Sequence, residues 1–228
     1  SYSDQIQYYI VGVGSNLMVR DGGFEGLIIK LGKNFNKIKI NKNTLSVGAG
    51  VLDANLAKFA LQNSIKDFEF FSGIPGTIGG AIKMNAGCYG SQTADNLKRI
   101  LVINKLGKIK YLTKDELELK YRSSNLTDEL IVLKADFSYK YSSASEIIEK
   151  KNYIKLKRES SQPIKEKTSG STFKNPSGKY AAVLIEKAGC KGMINGGASV
   201  STTHSNFIIN NGEATALDIE NLGKQIIK

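Results

Sequence analysis

One histidine, two cysteines, three prolines and no tryptophan leave this 228-residue chain short of the side chains that metal sites and nucleophilic catalysis draw on. Cys88 and Cys190 lie far apart and match no metal-ligand spacing. With His204 as the only histidine, a structural zinc or iron–sulfur site has too few ligands. No metal is expected, and two free thiols in a reducing compartment are. Long apolar runs are also missing. None approaches the roughly eighteen residues that span a bilayer, and the opening SYSDQIQYYIVGVGSN has no basic region followed by an apolar stretch and a cleavage site. A cytoplasmic protein with no membrane partner is expected. The rest of the composition is ordinary for a globular chain. Its 41% hydrophobic and 23% charged residues are enough to bury a core and argue against disorder.

The net charge of +11 opens three classes of partner: nucleic acid, acidic lipid and anionic metabolites. The lysines are scattered (Lys30, Lys33, Lys37, Lys39, Lys42, then Lys98, Lys105, Lys108, Lys110) and form no single stripe, and no DNA- or RNA-binding signature accompanies them. No nucleic-acid partner is expected; a solvated, lysine-rich surface is the simpler reading. Only four of the 32 basic residues are arginines: Arg20, Arg99, Arg122 and Arg158. In so lysine-rich a chain an arginine hints at a need for a planar, permanently charged fork.

Periodicity orders the elements. QYYIVGVG reads as a buried strand stopping at Gly12 and Gly14, GLIIKLG (26–32) as another, and NKIKIN with TLSVGAG as a hairpin. LDANLAKFALQNS (52–64) has helical spacing of Leu52, Leu56, Phe59 and Ala60. RILVINKLGKIKYL reads as strand, tight turn at Gly107, strand, and LIVLKADFSYK as a further strand. SASEIIEKKNYIKLKRESSQP opens with serine before an acidic, apolar-periodic run, so it predicts a helix ending before Pro163 and is the best domain boundary. Beyond it GKYAAVLIEKAG predicts a helix closed by Gly189, SNFIINNG a strand with its turn, and ATALDIENLGKQIIK a helix. Hairpins mixed with strand-helix units predict α+β.

Two glycine-rich loops carry the chemistry. VGVGSNLMVRDGG follows a strand, and its glycines let backbone N–H groups approach a phosphate, with Ser15 and Asn16 adding hydrogen bonds. It is not a dinucleotide fingerprint of the G-x-G-x-x-G kind, since no such spacing occurs here. SGIPGTIGGAIKMNAGCYG is the second loop. Either alone is equally well turn chemistry; the pair favours a phosphate-bearing ligand. A third stretch, SGSTFKNPSG, holds Ser171 between a glycine and a threonine. Ser171 reads either as a turn serine or as a reactive group, but not as a histidine-activated nucleophile in a chain with one histidine.

GVGSNLMVRDGGFEGLIIKL, GIPGTIGGAIKMNAGCYG, KYRSSN, GSTFKNPSG, LIEKAGCKG and GGASVSTTHSNFIIN occur in the order and approximate spacing of the UDP-N-acetylenolpyruvoylglucosamine reductases, and the chain resembles that family over essentially its whole length. The uninterrupted GIPGTIGG stretch, and the direct run from the long helix to GSTFKNP, look like the shorter of the family's two types, which lacks an extra tyrosine-bearing substrate loop. The resemblance implies an FAD-binding domain of the vanillyl-alcohol oxidase type in two α+β parts over 1–142, a linking helix over 143–162, and a smaller α+β substrate-binding domain over 163–228. It implies a bacterial, cytoplasmic, monomeric flavoenzyme of peptidoglycan synthesis. NADPH would reduce non-covalently bound FAD, which would deliver hydride to the enolpyruvyl ether of UDP-N-acetylglucosamine enolpyruvate.

That reaction leaves negative charge delocalised into a carboxylate, so it needs a cation there and a proton donor at the neighbouring carbon. By resemblance Ser171 is the donor and Arg122 the cation, a guanidinium suiting a developing dianion better than lysine does. The positions matched to FAD binding are Gly12, Gly14, Ser15, Asn16 and Leu17 in the first loop, and Ile74, Pro75, Gly76, Thr77, Gly79, Gly80 and Gly87 in the second. Tyr121, Lys174, Asn175 and Tyr89 are candidates for the nucleotide sugar, each with a core or turn alternative. Arg158 reads as helix surface, His204 as structural or a substrate contact, and Met84, Met193 and Cys88 as packing. The family's third catalytic group, a glutamate near its carboxyl terminus, has no counterpart before Lys228. The family's opening strand-helix segment is likewise not seen before GVGSN, so the natural protein is expected to extend both ways. An oxidase of the same flavin superfamily and a basic nucleic-acid-binding or scaffolding protein are the competing readings.

Overall fold

A computed structural model of the chain describes residues 6–228, so the first five residues of the stretch read as leader-free lie outside it. The chain makes two compact units. One holds the residues up to Val13 together with 26–156, the other 14–25 together with 157–228. These units divide the chain differently from the edges expected at 142 and 163. The long helix is not a separate linker: it runs Ala144–Ser161, residues through Leu156 group with the first unit and the rest with the second. Residues 14–25, assigned by resemblance to the FAD domain, group with the carboxyl-terminal unit.

In the first unit β1 (Tyr8–Ile10) pairs in parallel with β2 (Leu27–Ile29). β1 is not the buried strand its apolar run predicts: Tyr9 and its register partner Ile28 stay exposed, because a lone two-stranded pair has little to cover its faces. The predicted hairpin forms from β3 (Ile38–Asn41) and β4 (Thr44–Gly48). The helix after it, α1, covers Asp53–Gln62, and α2 covers Ile78–Lys83. The second hairpin is β5 (Leu97–Asn104) with β6 (Ile109–Thr113). β7 (Leu130–Phe137) inserts between the hairpins, giving an antiparallel sheet of order β3-β4-β7-β5-β6.

Alternation sets the faces of this sheet. Leu45 and Val47, Ile100 and Val102, Ala135 and Phe137 point into the core. On the other face buried Asp136 stands opposite both Ser46 and Arg99, accepting hydrogen bonds from them at 2.7 and 2.8 Å. Phe68, Phe70 and Phe71 follow α1 and pack beside Phe137, with ring centroids 4.1 Å apart for Phe70–Phe71 and 5.7 Å for Phe68–Phe137. Such pairs add about 1 kcal/mol each beyond area burial, and they anchor the chain just before the second glycine loop. The apolar stripe of α1 departs from the spacing that predicts it. Leu52 precedes the helix and is 40% exposed, while Asp53 is buried at 1%.

α3 (Ala144–Ser161) opens in the first unit with the expected serine cap, Ser143 Oγ accepting from the Glu146 N–H at 3.2 Å, and its last residues, from Lys157, belong to the second unit. α4 (Ala181–Lys187) ends at Gly189, whose φ of +73° is the left-handed conformation that closes helices. β8 (Ile194–Asn195), β9 (Ala198–Val200) and β10 (Ile208–Asn210) form an antiparallel sheet, and α5 (Ala216–Ile227) packs on it. Ala181, Ile185, Ala198, Val200, Ile208 and Leu222 make the core of this unit. α5 begins with a reciprocal cap between Thr215 and Asp218. Asp21 adds to it, accepting from the Ala216 N–H at 2.8 Å and the Leu217 N–H at 3.0 Å, and Arg20 pairs with Glu220 at 2.6 Å. These contacts tie residues 14–25 to the second unit. Among the described residues no helix is long and apolar enough to cross a membrane.

Candidate functional site

Within the first unit the two glycine loops meet. A Cβ at Gly12 would overlap Thr77 Oγ1, so the first loop passes against the second with no room for a side chain. The second loop is held from behind: Leu52 bridges Thr77, the Asp53 N–H donates to Gly76 O at 3.1 Å, and the Ile78 and Gly79 N–H groups donate to Val51 O and Ala49 O, both at 2.9 Å. In front, the backbone at Gly80 is open; a Cβ there would meet the protein only at Thr77 Oγ1, 3.8 Å away. This arrangement fits a cofactor that approaches main chain closely, as a diphosphate does. Ile74 is half-buried and Pro75 exposed at the rim.

Arg122 sits against the far end of the same loop. Lys120 and Ser123 close a tight turn through reciprocal backbone hydrogen bonds of 3.0 and 3.2 Å, with Tyr121 and Arg122 as its central residues. Arg122 has φ of +52°, a position that glycine or asparagine normally fills and that costs other residues roughly 1–2 kcal/mol. Its guanidinium donates to Asn85 O at 3.4 Å and Gly87 O at 2.5 Å and lies 5.1 Å from the centre of the Tyr121 ring. No carboxylate pairs with it among the described residues. A half-buried cation held by neutral carbonyls retains its full charge for an anionic ligand.

Backbone strain concentrates here. Asn85, Tyr89 and Arg122 all have positive φ, the pattern expected where function over-determines conformation. Asn85, which sequence reading missed, joins the pieces. Its Nδ2 donates to Lys120 O at 3.2 Å and Gln92 Oε1 at 3.0 Å, and its Oδ1 accepts from the Ala94 N–H at 2.9 Å. The available signal was an asparagine between an apolar helix and a glycine turn, where the left-handed conformation is cheapest. Tyr89 is 37% exposed beside the Gly73 position. Cys88 is half-buried, its thiol 3.4 Å from Phe70 O.

Gly87 is a direct test of this packing. A Cβ there would overlap the Ser91 carbonyl oxygen and fall 2.7 Å from Gln92 Cβ, and Gly87 O is itself an Arg122 acceptor. Gly87→Ala is expected to lower stability by roughly 1–3 kcal/mol and to weaken cofactor retention. Urea unfolding and flavin fluorescence on dilution measure the two. A midpoint equal to that of the parent chain would show that the hairpin has room to spare.

The second unit carries the other candidates. Gly14, Ser15, Asn16 and Leu17 form a turn in which the Leu17 N–H donates to Gly14 O at 3.2 Å, and Gly14 has φ of +75° with open space beside it. Ser171 is exposed and bridges Phe207 as an antiparallel partner. Asn175 Oδ1 accepts from the Ala181 N–H at 3.0 Å, capping α4, a duty alongside which any sugar contact must fit. Lys174 is exposed and borders a small apolar hollow with Phe173, Pro176 and Ile226. His204 accepts from the Asn206 N–H at Nδ1, 3.3 Å, and packs edge-on to Phe207. Burial holds its pKa below the ordinary value, so it is a neutral acceptor. Arg158 donates to Gln162, the residue just past the end of its helix, at 3.3 Å, as a helix-surface residue does.

Two family models match the chain. Residues 1–113 match the model of an FAD binding domain, and residues 162–228 match that of the UDP-N-acetylenolpyruvoylglucosamine reductase C-terminal domain. The reductase of Rickettsia conorii is 51% identical over 212 residues, covering 93% of this chain and 72% of that protein. The Rickettsia typhi reductase is 52% identical over the same span. The chain belongs to the UDP-N-acetylenolpyruvoylglucosamine reductase family. The crystal structure of the reductase from Thermus caldophilus superposes with a TM-score of 0.91 at 34% identity, covering 99% of this chain and 82% of that one. The α+β architecture is thus that of the reductase family.

Proposed function

We propose that this chain reduces the enolpyruvyl ether of UDP-N-acetylglucosamine enolpyruvate to UDP-N-acetylmuramate, with NADPH as reductant, in peptidoglycan precursor synthesis. FAD is the cofactor, and when bound it supplies the hydride chemistry that no side chain of this chain provides. In the first unit Gly12 and the 74–80 loop, with its open backbone at Gly80, would hold it together with Gly87; Gly14, Ser15, Asn16 and Leu17 are assigned to it by the family resemblance. The observation that carries the reading is Arg122: a residue of strained backbone whose guanidinium, with no carboxylate partner among the described residues, is fastened to the glycine loop through Asn85 O and Gly87 O.

Arg122 supplies fixed positive charge for the substrate carboxylate as charge grows on it. Ser171 Oγ delivers the proton to the carbon beside that carboxylate. Serine is a very weak acid, and it serves here because its partner is a strongly basic enolate. Tyr121, Tyr89, Lys174 and Asn175 are the candidates for contacting the nucleotide sugar. The enzyme works as a monomer in the bacterial cytoplasm, without nucleic-acid or membrane partners.

The test is oxidation of NADPH by the yellow, flavin-loaded protein. It is expected to depend on added UDP-N-acetylglucosamine enolpyruvate and to yield UDP-N-acetylmuramate. A yellow protein that consumes dioxygen instead would point to an oxidase, and a colourless one that binds polynucleotides with strong salt dependence to a nucleic-acid partner.

A further inference from the structure

Asn206 is buried at 3% exposure in the second unit, and no motif argument singled it out. Its side chain does something specific to the stretch that carries Ser171. Oδ1 accepts from the Phe173 N–H at 2.9 Å and Nδ2 donates to the Phe173 carbonyl at 2.8 Å. Its own carbonyl accepts from the Thr172 N–H at 2.8 Å. One residue further on, Phe207 is the bridge partner of Ser171. The amide therefore behaves as an extra peptide unit: strand pairing begun by main chain at 171–172 is continued through 173 by a side chain. Its own support comes from the Asn206 N–H to His204 Nδ1 contact at 3.3 Å, and Phe173 packs against the core of this unit.

The consequence is geometric. Ser171 and Thr172 are exposed, Gly170 before them has φ of +89°, and the next turn follows at Pro176–Gly178. Between Gly170 and this turn the loop is tied down at Thr172 and Phe173, and both ties are made by Asn206. We infer that Asn206 is the positioning residue for Ser171, setting where its hydroxyl stands through a two-bond amide clamp on Phe173. It touches no reacting atom; it acts through the backbone. The inference rests on the reading of Ser171 as proton donor. A misplacement of about 1 Å in a reacting group costs up to about a hundredfold.

The experiment separates the two half-reactions of the flavin-loaded protein by stopped flow. Asn206→Ala and the size-preserving Asn206→Asp, which keeps the acceptor for the Phe173 N–H but not the donor to its carbonyl, are compared with Ser171→Ala. Flavin reduction by NADPH is expected to stay within about twofold, while reoxidation by UDP-N-acetylglucosamine enolpyruvate slows about 10- to 100-fold and its solvent deuterium isotope effect rises. Amide hydrogen exchange at Thr172 and Phe173 in the flavin-free protein is expected to accelerate, a readout independent of turnover. If both half-reactions fall together, or if reoxidation is unchanged while Ser171→Ala abolishes it, the positioning role is overturned and the donor role stands. If Ser171→Ala reoxidises normally, the donor reading falls and takes this one with it.

Discussion

Ser171→Ala is expected to leave bleaching of the flavin by NADPH intact and to cut turnover with UDP-N-acetylglucosamine enolpyruvate by about two to four orders of magnitude, the usual contribution of a positioned general acid. The reasoning is local. Ser171 is an exposed residue of the second unit, bridged to Phe207, so removing one oxygen there leaves no cavity and breaks no core contact. Stability should stay within about 0.5 kcal/mol of the parent, as for ordinary surface substitutions. A loss of turnover without a loss of stability or of flavin reduction isolates the proton-transfer step. Equal kcat values for the two proteins would remove Ser171 from the mechanism.

Asp53→Asn is expected to stabilise the protein, by an amount that grows with pH. Asp53 opens α1 behind the second glycine loop. Neither carboxylate oxygen has a hydrogen-bond partner among the described residues, and desolvation pushes its pKa up from 3.8 to about 8. A carboxyl whose pKa is raised by folding keeps its proton in the native state after the unfolded chain has released it. Stability from this group is therefore fully present below about pH 4 and is lost as pH rises toward 8. Across that window linkage amounts to on the order of 5 kcal/mol, and relaxation of the site reduces what is measured to a few. Asn has the shape of the protonated acid and does not titrate. Urea midpoints for the two proteins should coincide near pH 4 and diverge steadily to pH 8, the variant being the more stable. A constant difference across that range would mean that Asp53 finds solvent or a partner.

Arg122 and the glycines at 12, 76, 79, 80 and 87 were singled out through the family motifs, whose order along the chain can be read without knowledge of the intervening packing; the structure brings Gly12 against Thr77 and Arg122 against Gly87 O. The hairpins at 38–48 and 97–113 and the helices from 53, 144, 181 and 216 were legible for a different reason. Alternation of two and periodicity near four are properties of neighbouring residues, and a serine or glycine at an element's end satisfies local backbone groups. The exposed β1 and the displaced apolar stripe of α1 were not legible, since an apolar run says that a face wants cover and not whether a second layer arrives.

Composition and periodicity by themselves determined the α+β class and set out two glycine-rich loops; the parts given to Ser171 and Arg122 come from the family resemblance. Only the folded chain decided that Asp21 caps a helix 195 residues away, that residues 14–25 group with the carboxyl-terminal unit, that Asp53 is sealed where Leu52 was expected, and that Asn206 clamps Phe173. The physical reason is range. Backbone preferences and periodic patterns act over a few residues, whereas burial of a carboxylate or pairing of a side-chain amide with a distant peptide depends on which surfaces meet, and that is settled by packing the whole core at once.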